Sequence, residues 1–213
     1  SELAWDYCNT FKLPRFIAIN KMERENANFQ KALAAMESFA DIRLIPVQLP
    51  WGEKAAFQGV IDLLSMKALK GDGKTVVDIP ADLKDAAEEA HMKLVEAAAE
   101  GDDSLLEKYL ESGELSAEEI LSGLKEVVQS CNFVPVFVSS GAAEIGVQPL
   151  LDAIVTLMPS PADTAPLKVA NAKGEIEELR AADSGPLAAY VWKTTADPFV
   201  GKQTFFRLYS GML

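Results

Sequence analysis

Two apolar runs that each end in a polar turn constrain the fold of this chain more than any other feature. Residues 16–19 are followed directly by Asn20-Lys21-Met22-Glu23, and residues 134–138 are followed by Ser139-Ser140-Gly141. Short apolar runs bounded by turn signals are typical of strands buried in a parallel sheet. Ligand sites in open α/β sheets form at the carboxyl ends of such strands. The sequence therefore predicts an α/β fold in which both turns contribute to one site.

The first turn differs at a single position from Asn-Lys-x-Asp, the motif with which GTPases read guanine. In that motif the carboxylate accepts two hydrogen bonds from guanine N–H groups, the Asn amide contacts the ring, and the Lys stem lies across its face. The second turn is placed to offer a backbone N–H to the guanine carbonyl. We therefore predict that the base is bound by Asn20, Lys21, Glu23, Ser140 and Gly141.

Two residues depart from the GTPase pattern. Glu23 stands where Asp is usual, and its carboxylate reaches one bond further, a shift of about 1.5 Å. Gly141 replaces the usual Ala, which keeps the backbone donor but loosens the loop. Taken alone, the first turn also fits a charged helix start after a strand. The second turn, in the right chain order, favours base binding, with guanine selectivity depending on whether the loop retracts to accommodate Glu23.

Further stretches of the chain resemble translation elongation factor G or a paralogue of it, and ribosome-protection proteins and peptide release factor 3 share parts of the pattern. The resemblance covers nearly the whole chain. It implies a ribosome-dependent GTPase that uses GTP to drive translocation of tRNA and mRNA, with GTP or GDP as ligand and magnesium in the full-length protein. The matching stretches are residues 14–22, 27–29, 45–50, 59–63, 146–152, 157–161, 197–201 and 209–211.

The motifs that bind phosphate are not found in the sequence. It contains no Gly-x-x-x-x-Gly-Lys-[Ser/Thr] loop, which cradles phosphates and helps to hold magnesium, and no stretch resembling the magnesium-binding Asp-x-x-Gly segment. We interpret the chain as an internal piece of a longer GTPase that carries the base-reading half of the site. On its own it is expected to have no catalytic residues, no metal site, no GTP hydrolysis and weak GTP binding.

The predicted fold is the C-terminal half of a P-loop GTPase-type sheet with an α+β insertion, followed by the first strands of a β-barrel domain. We assign residues 1–45 and 129–160 to the GTPase domain, 46–128 to an inserted acidic domain, and 161–213 to a linker and a truncated barrel. A strand-to-helix order around a parallel sheet fits this class.

Individual elements follow from local patterns. The run 45–50 is expected to be an exposed strand that enters the insertion, and Gly71-Asp72-Gly73 a hairpin turn before a strand at 75–79. Pro80 is expected to open a helix that stops at Gly101. Capping-box patterns at 104–107 and 116–119 predict two more helices. In a helix at 146–157, the inward positions are expected to be Val147, Leu150, Leu151, Ile154, Val155 and Met158.

Charge is concentrated in the predicted insertion. The chain has a net charge of −12, and residues 78–119 hold fourteen Asp and Glu against three Lys. Such a surface repels phosphate backbones, so no direct nucleic-acid site is predicted. The block is either a solvated helix face or a docking surface for a protein partner. The resemblance implies the ribosomal stalk protein as that partner and the ribosome as the wider one.

The remaining composition points to the cytoplasm. No apolar run approaches the roughly 20 residues of a membrane span, so no membrane contact is expected. Cys8 and Cys131 match no metal spacing and are expected to be buried thiols in a reducing compartment. His91 is the only histidine, which leaves no His-based metal site or catalytic triad, and a helix-surface or half-buried position is expected for it.

Two functional hypotheses from different classes follow. The first is a segment of a ribosome-dependent GTPase of the elongation factor G type. The second is a protein-binding module of a translation factor paralogue with altered or lost guanine specificity, which Glu23 motivates. Restoring Asp at position 23 in the full-length protein and measuring GTP affinity discriminates between them.

Overall fold

A parallel sheet lies at the centre of residues 1–158, the first of two compact units; the second is residues 159–213. The structure is a computed structural model that describes residues 1–71, 73–171 and 173–213. The first unit contains α1 (Glu2–Thr10), β1 (Ile17–Ile19), α2 (Phe29–Glu37), β2 (Arg43–Pro46), β3 (Gln48–Trp51), β4 (Gly59–Asp62), β5 (Lys67–Lys70), β6 (Val76–Val77), α3 (Lys84–Ala99), α4 (Asp103–Ser112), α5 (Ala117–Gln129), β7 (Phe133–Val138) and α6 (Val147–Leu157).

The central sheet has the order β1-β7-β2, and both strand pairs are parallel. Every residue of the middle strand β7 is buried, as expected for a parallel strand covered on both faces. Ile19 lies opposite Val138, so β1 and β7 end side by side. The predicted α/β class is therefore confirmed, and the turns that follow these two strands lie at the same edge of the sheet.

The segment 45–50 was predicted to be one exposed strand, and the structure differs from that prediction. It is divided between β2 in the parallel sheet and β3 in a second, antiparallel sheet with the order β3-β4-β5-β6. Between them Val47 is buried, and its N–H donates to the carbonyl of Val136. Its buried residues are Ile45, Val47 and Gln48, which lie where the chain runs from one sheet into the other. Of the predicted turn at 71–73, Asp72 lies outside the described residues.

Helices α3 and α4 begin at positions that differ from those predicted, whereas α5 begins as predicted. Pro80 belongs to a turn in which its carbonyl accepts from Leu83 N, and α3 begins only at Lys84. The N-cap of α4 is Asp102 rather than Ser104, because its carboxylate accepts from the N–H groups of Ser104 and Leu105. The capping box of α5, formed by Ser116 and Glu119, is confirmed.

Helices α3 and α5 approach closely at two glycines, which have no side chain to keep the backbones apart. A Cβ on Gly123 would lie 2.1 Å from the carbonyl oxygen of Ala98, and one on Gly101 would lie 2.5 Å from the carbonyl oxygen of Gly123. Gly101 follows the end of α3 as predicted. The absence of a side chain at Gly101 allows close helix contact, however, and Gly101 does not adopt the left-handed conformation that typically ends a helix.

Helix α6 buries a narrower face than predicted. Leu157 is buried and Leu150 packs against the core, but Leu151 and Ile154 are exposed and Val155 is 85% exposed. Only one stripe of a helix can face a single packing surface. The apolar residues on its other sides are not covered by any part of the chain that the structure describes.

The single histidine and the two cysteines lie at the surface of the first unit rather than deep inside it. His91 is half-buried, and its Nδ1 lies 2.7 Å from the carbonyl oxygen of Leu63, in agreement with the expected position. Cys8 and Cys131 are free thiols of intermediate exposure, so the prediction that both are buried was wrong. Cys131 lies in the turn between α5 and β7 with a φ of 60°, and partial burial raises its pKa.

The second unit consists of two antiparallel hairpins among its described residues. Strands β8 (Leu167–Ala170) and β9 (Ile176–Leu179) form one, and β10 (Ala188–Asp197) and β11 (Gly201–Ser210) form the other. The strands predicted at 187–193 and 204–209 are confirmed, and the barrel remains a prediction. No helix in the described part of the chain combines the length and apolar character needed to cross a membrane.

Acid titration of Glu119 is expected to report the packing of α4 against α5. Lys108 Nζ lies 2.6 Å from Glu119 Oε1, and this contact with the Ser116 cap lowers the pKa of Glu119 to about 2 from an ordinary 4.5. Because the folded pKa is depressed, this stabilisation is complete above the ordinary pKa and is lost as the pH falls towards 2.

Substitution of Lys108 by methionine should raise the midpoint of Glu119 towards 4.5 in an NMR titration of the carboxyl carbon. Lys93→Met is the matched control, because Lys93 pairs with Glu89 instead. An unchanged Glu119 midpoint in Lys108→Met would contradict the expectation.

Candidate functional site

The turns after β1 and β7 are joined by direct hydrogen bonds. Asn20 Oδ1 accepts from the backbone N–H of Gly141 at 2.9 Å and from the Ser139 hydroxyl at 3.4 Å. In the other direction, Met22 N donates to the Ser139 carbonyl at 3.3 Å. The structure thus brings together the two turns that the sequence placed at one site, although they are more than a hundred residues apart in the chain.

The first turn is fixed from several sides. Lys21 has a φ of 65°, a left-handed conformation that costs a residue with a side chain about 1–2 kcal/mol. Its carbonyl accepts from Arg24 N, while the buried side chain of Met22 anchors the turn. The Met22 carbonyl also accepts from Lys54 N at 3.0 Å. Such strained residues persist where surrounding contacts fix them, and they are frequent at functional sites. The Lys21 side chain remains exposed.

Glu23 presents an acceptor that nothing in the described residues satisfies. Its side chain is 25% exposed, yet Oε2 is buried and has no hydrogen-bond partner in that part of the chain. The Ser140 hydroxyl lowers the pKa of Glu23, and the Arg24 guanidinium, with Nε 3.5 Å from Oε1, lowers it further. The carboxylate is therefore ionised at neutral pH and can accept N–H donors from a ligand.

More hydrogen-bonding groups of the second turn are already paired within the protein than the sequence predicted. Ser140 is buried, and its backbone N–H and carbonyl both pair with Ile145. Its hydroxyl accepts from Ala143 N at 3.2 Å. Because Gly141 N already donates to Asn20, neither N–H expected to meet a guanine carbonyl is free in this structure. A base could reach the Gly141 donor only if the Asn20 amide moved aside.

Gly141 itself is not demanded by the backbone. A Cβ at this position would meet only the Asn20 amide, at 3.7 Å, which is an ordinary contact distance. Its φ lies outside the left-handed range that favours glycine. The usual Ala of GTPases would therefore fit this turn.

Two contacts of the site were not predicted from the sequence. The Ser139 hydroxyl reaches Asn20, and Lys54 N reaches the Met22 carbonyl. A signal existed for Ser139, because it is the first polar residue after β7. None existed for Lys54, because it acts through its backbone and any residue type with an N–H could do the same.

An open cavity of about 470 Å³ lies beside the first turn. Asn20 and Lys21 line it, and Arg24 and Lys31 add positive charge. Glu23, Ser140 and Gly141 are not part of its lining. The site can thus donate and accept hydrogen bonds towards a planar polar ligand. Within residues 1–71, 73–171 and 173–213, no group of three or more His, Cys, Asp and Glu side chains could hold a metal ion.

Replacing Ser140 with alanine is expected to raise the pKa of Glu23, because the hydroxyl is the main cause of its lowering. Carbon-detected NMR titration of the Glu23 carboxyl would measure the shift. Ser130→Ala is a suitable control, since that hydroxyl donates to the Val127 carbonyl elsewhere in the unit. A Glu23 midpoint that is the same in Ser140→Ala as in the natural sequence would contradict this assignment.

The parallel sheet and the paired turns at its carboxyl edge define a nucleotide-binding type of α/β protein. Residues 1–160 match the family model described as the elongation factor Tu GTP binding domain. A solved structure from Thermus thermophilus is 30% identical, with a TM-score of 0.78 over 99% of this chain. This chain spans 29% of the length of that protein. The chain belongs to the elongation factor Tu GTP-binding domain family, which confirms the predicted resemblance at that level.

Proposed function

We propose that the chain is the base-reading part of a ribosome-dependent translational GTPase of the elongation factor G type. The observation that carries the proposal is the hydrogen bond of 2.9 Å between Asn20 Oδ1 and Gly141 N, which joins the two turns into one site. Membership of a GTP-binding family supports guanine nucleotide as the ligand. GTP and GDP would bind through Asn20, Lys21, Glu23, Ser140 and Gly141.

Each residue has a distinct role in this proposal. The ionised Glu23 accepts the guanine N–H donors, and its unpartnered Oε2 is the acceptor best placed to gain from them. In the free protein Asn20 holds the second turn through Gly141 N. As the base enters, the Asn20 amide turns towards the ring. Lys21, exposed on its strained turn, covers one face of the base with its stem.

The phosphates and magnesium would be bound by other segments of the full-length protein. The 213 residues contain no phosphate-binding loop, and charge-assisted phosphate contacts are among the strong ones. The base contacts alone should then give no measurable micromolar GTP affinity by calorimetry for this chain. Clear binding that depends on magnesium would contradict this division of the site.

The proposal also includes a division into domains. Residues 1–45 and 129–160 belong to the GTPase domain, 46–128 to an insertion, and 161–213 to the start of a second domain. The acidic side chains of the insertion are mostly exposed on α3, α4 and α5. This surface is where a protein partner such as the ribosomal stalk would dock, in a cytoplasmic protein that works on the ribosome.

The test is a nucleotide displacement assay on the full-length protein. Unlabelled GTP should displace fluorescent GDP, and ATP should not. Asn20→Ala should weaken GDP binding by about tenfold or more, which corresponds to loss of roughly 1.4 kcal/mol. Asn132→Ala is the matched control, because Asn132 is exposed and lies at the opposite end of β7 from the two turns. Equal displacement by ATP, or unchanged affinity in Asn20→Ala, would overturn the proposal.

The second candidate, a protein-binding module without guanine specificity, is favoured by Glu23 alone. Its carboxylate extends one bond beyond the usual acceptor position, whereas Glu23→Asp restores the usual reach. A gain in GTP affinity of about tenfold or more in Glu23→Asp, together with no turnover of the natural protein on ribosomes, would favour the module. Turnover of the natural protein with a smaller gain favours the GTPase.

A further inference from the structure

We propose that the loop between β3 and β4, residues 52–58, positions the carboxylate of Glu23 and thereby sets the preference of the site for guanine. The inference rests on the proposed function, because it concerns how well that same site fits its base. Glu23 carries its carboxylate one bond further than the usual Asp, a difference of about 1.5 Å. Its fit to the base therefore depends on where the backbone of the turn lies, and this loop holds the preceding residue, Met22, in place.

The loop holds Met22 through its main chain. Lys54 N donates to the Met22 carbonyl at 3.0 Å, and that carbonyl belongs to the peptide unit that joins Met22 to Glu23. On its other side, Met22 N donates to the Ser139 carbonyl of the second turn at 3.3 Å. The backbone that leads into Glu23 is thus fixed between the second turn and the loop. Moving either partner would move the carboxylate with it.

The side chain of Met22 is held by the same segment of the chain. Met22 is 1% exposed, and it belongs to one buried apolar cluster with Phe57 of the loop and Val60 of β4, which are 6% and 1% exposed. Close packing in such a cluster transmits displacements, because few voids exist into which a side chain could relax. The loop therefore constrains Met22 through both its main chain and its side chain.

The loop can position Met22 because its own conformation is fixed. Gln58 N donates to the Trp51 carbonyl at 3.0 Å, which closes the loop at its base, and two further main-chain hydrogen bonds of 3.0 Å lie within residues 53–57. Gly52 has a φ of 80°, and a Cβ at this position would lie 2.1 Å from the carbonyl oxygen of Ala56. A side chain at position 52 would therefore displace the loop, since the atom that it meets is backbone.

The ratio of the affinities for GDP and inosine diphosphate measures the fit of Glu23 to the base. Inosine diphosphate lacks the exocyclic amino group of guanine, so it offers the carboxylate fewer N–H donors. We expect the natural full-length protein to bind GDP at least about tenfold more tightly than inosine diphosphate, which corresponds to loss of one charge-assisted hydrogen bond. Displacement of fluorescent GDP gives both affinities. A loss of correctly folded protein affects both nucleotides equally and leaves the ratio unchanged.

Gly52→Ala in the full-length protein should lower this ratio by about threefold or more, because the displaced loop moves the peptide unit before Glu23. The matched control is Gly113→Ala at the end of α4. Gly113 has a similar φ of 73°, but a Cβ there would meet nothing within 4 Å. The control therefore introduces the same backbone strain without displacing the loop, and its ratio should equal that of the natural protein. A Gly52→Ala variant with the natural ratio would overturn the proposal.

A milder pair of variants tests the proposal if Gly52→Ala does not fold. Phe57→Leu loosens the cluster around Met22, whereas Phe133→Leu makes the same change at a position that is 2% exposed in the other buried cluster of the unit. Both should lower the melting temperature, but only Phe57→Leu should lower the ratio, by about twofold or more. Equal ratios in the two variants would overturn the proposal. A natural protein that binds GDP no better than inosine diphosphate would refute the proposed function itself, and this inference with it.

Discussion

Replacing Phe137 with alanine is expected to lower the free energy of unfolding by about 3–5 kcal/mol. Phe137 is 1% exposed in the middle strand of the parallel sheet, and its ring lies 5.0 Å from that of Phe16. Alanine would remove the transfer free energy of the ring and leave a void that the neighbouring side chains could not fill completely. Because domains of this kind are stable by only about 5–15 kcal/mol, the loss would be a large fraction of the total.

Chemical denaturation followed by circular dichroism measures this effect. Val155→Ala is the control for apolar truncation, because Val155 is 85% exposed and should change stability by less than about 0.5 kcal/mol. If both variants unfolded at the same denaturant concentration, the buried position of Phe137 would be wrong.

Replacing Gly123 with alanine is expected to be the second most damaging change, with a loss of roughly 3 kcal/mol. A Cβ at this position would lie 2.1 Å from the carbonyl oxygen of Ala98, so α3 and α5 would have to separate. The atom that it meets is backbone, which cannot rotate away as a side chain can. Alanine also has a higher helix propensity than glycine, which stabilises the helix by about 1 kcal/mol. The expected loss of unfolding free energy is the net value after this gain.

Gly141→Ala is the matched substitution for comparison. The added methyl group would meet only the Asn20 amide at 3.7 Å, so stability should be unchanged or rise by about 0.4–1 kcal/mol. Thermal melting of the two variants side by side should show a clear loss for Gly123→Ala and none for Gly141→Ala. A Gly123→Ala variant that melts at or above the natural sequence would show that the helices are further apart than described here.

Much of the sheet could be predicted because its signals are local. Continuous apolar runs mark β1 and β7, and the polar residues directly after them mark the turns. The convergence of those turns follows from the parallel direction of two neighbouring strands. The pairing of Asn20 with Gly141 was therefore accessible from the sequence, although its atomic form, with Gly141 N already engaged, was not.

The remaining differences come from contacts that a linear pattern cannot contain. Residues 45–50 alternate too weakly to show that the chain passes from one sheet to another at Val47. The apolar residues of α6 outnumber those that one packing surface can cover, and nothing local ranks Leu157 above Val155. For α4, both Asp102 and Ser104 are good caps, and the carboxylate prevails because it reaches two N–H groups.

The backbone hydrogen bond between Lys54 N and the Met22 carbonyl fixes the loop between β3 and β4 against the Asn20–Glu23 turn independently of side-chain identity. Substitutions in either loop can alter charge or bulk without removing it, and only proline at position 54 deletes the donor outright. Lys54 also has a φ of 56°, which the proline ring cannot adopt. A displacement of residues 54–56 would thus reach the Asn20–Glu23 turn through the main chain, whatever amino acids evolution places there.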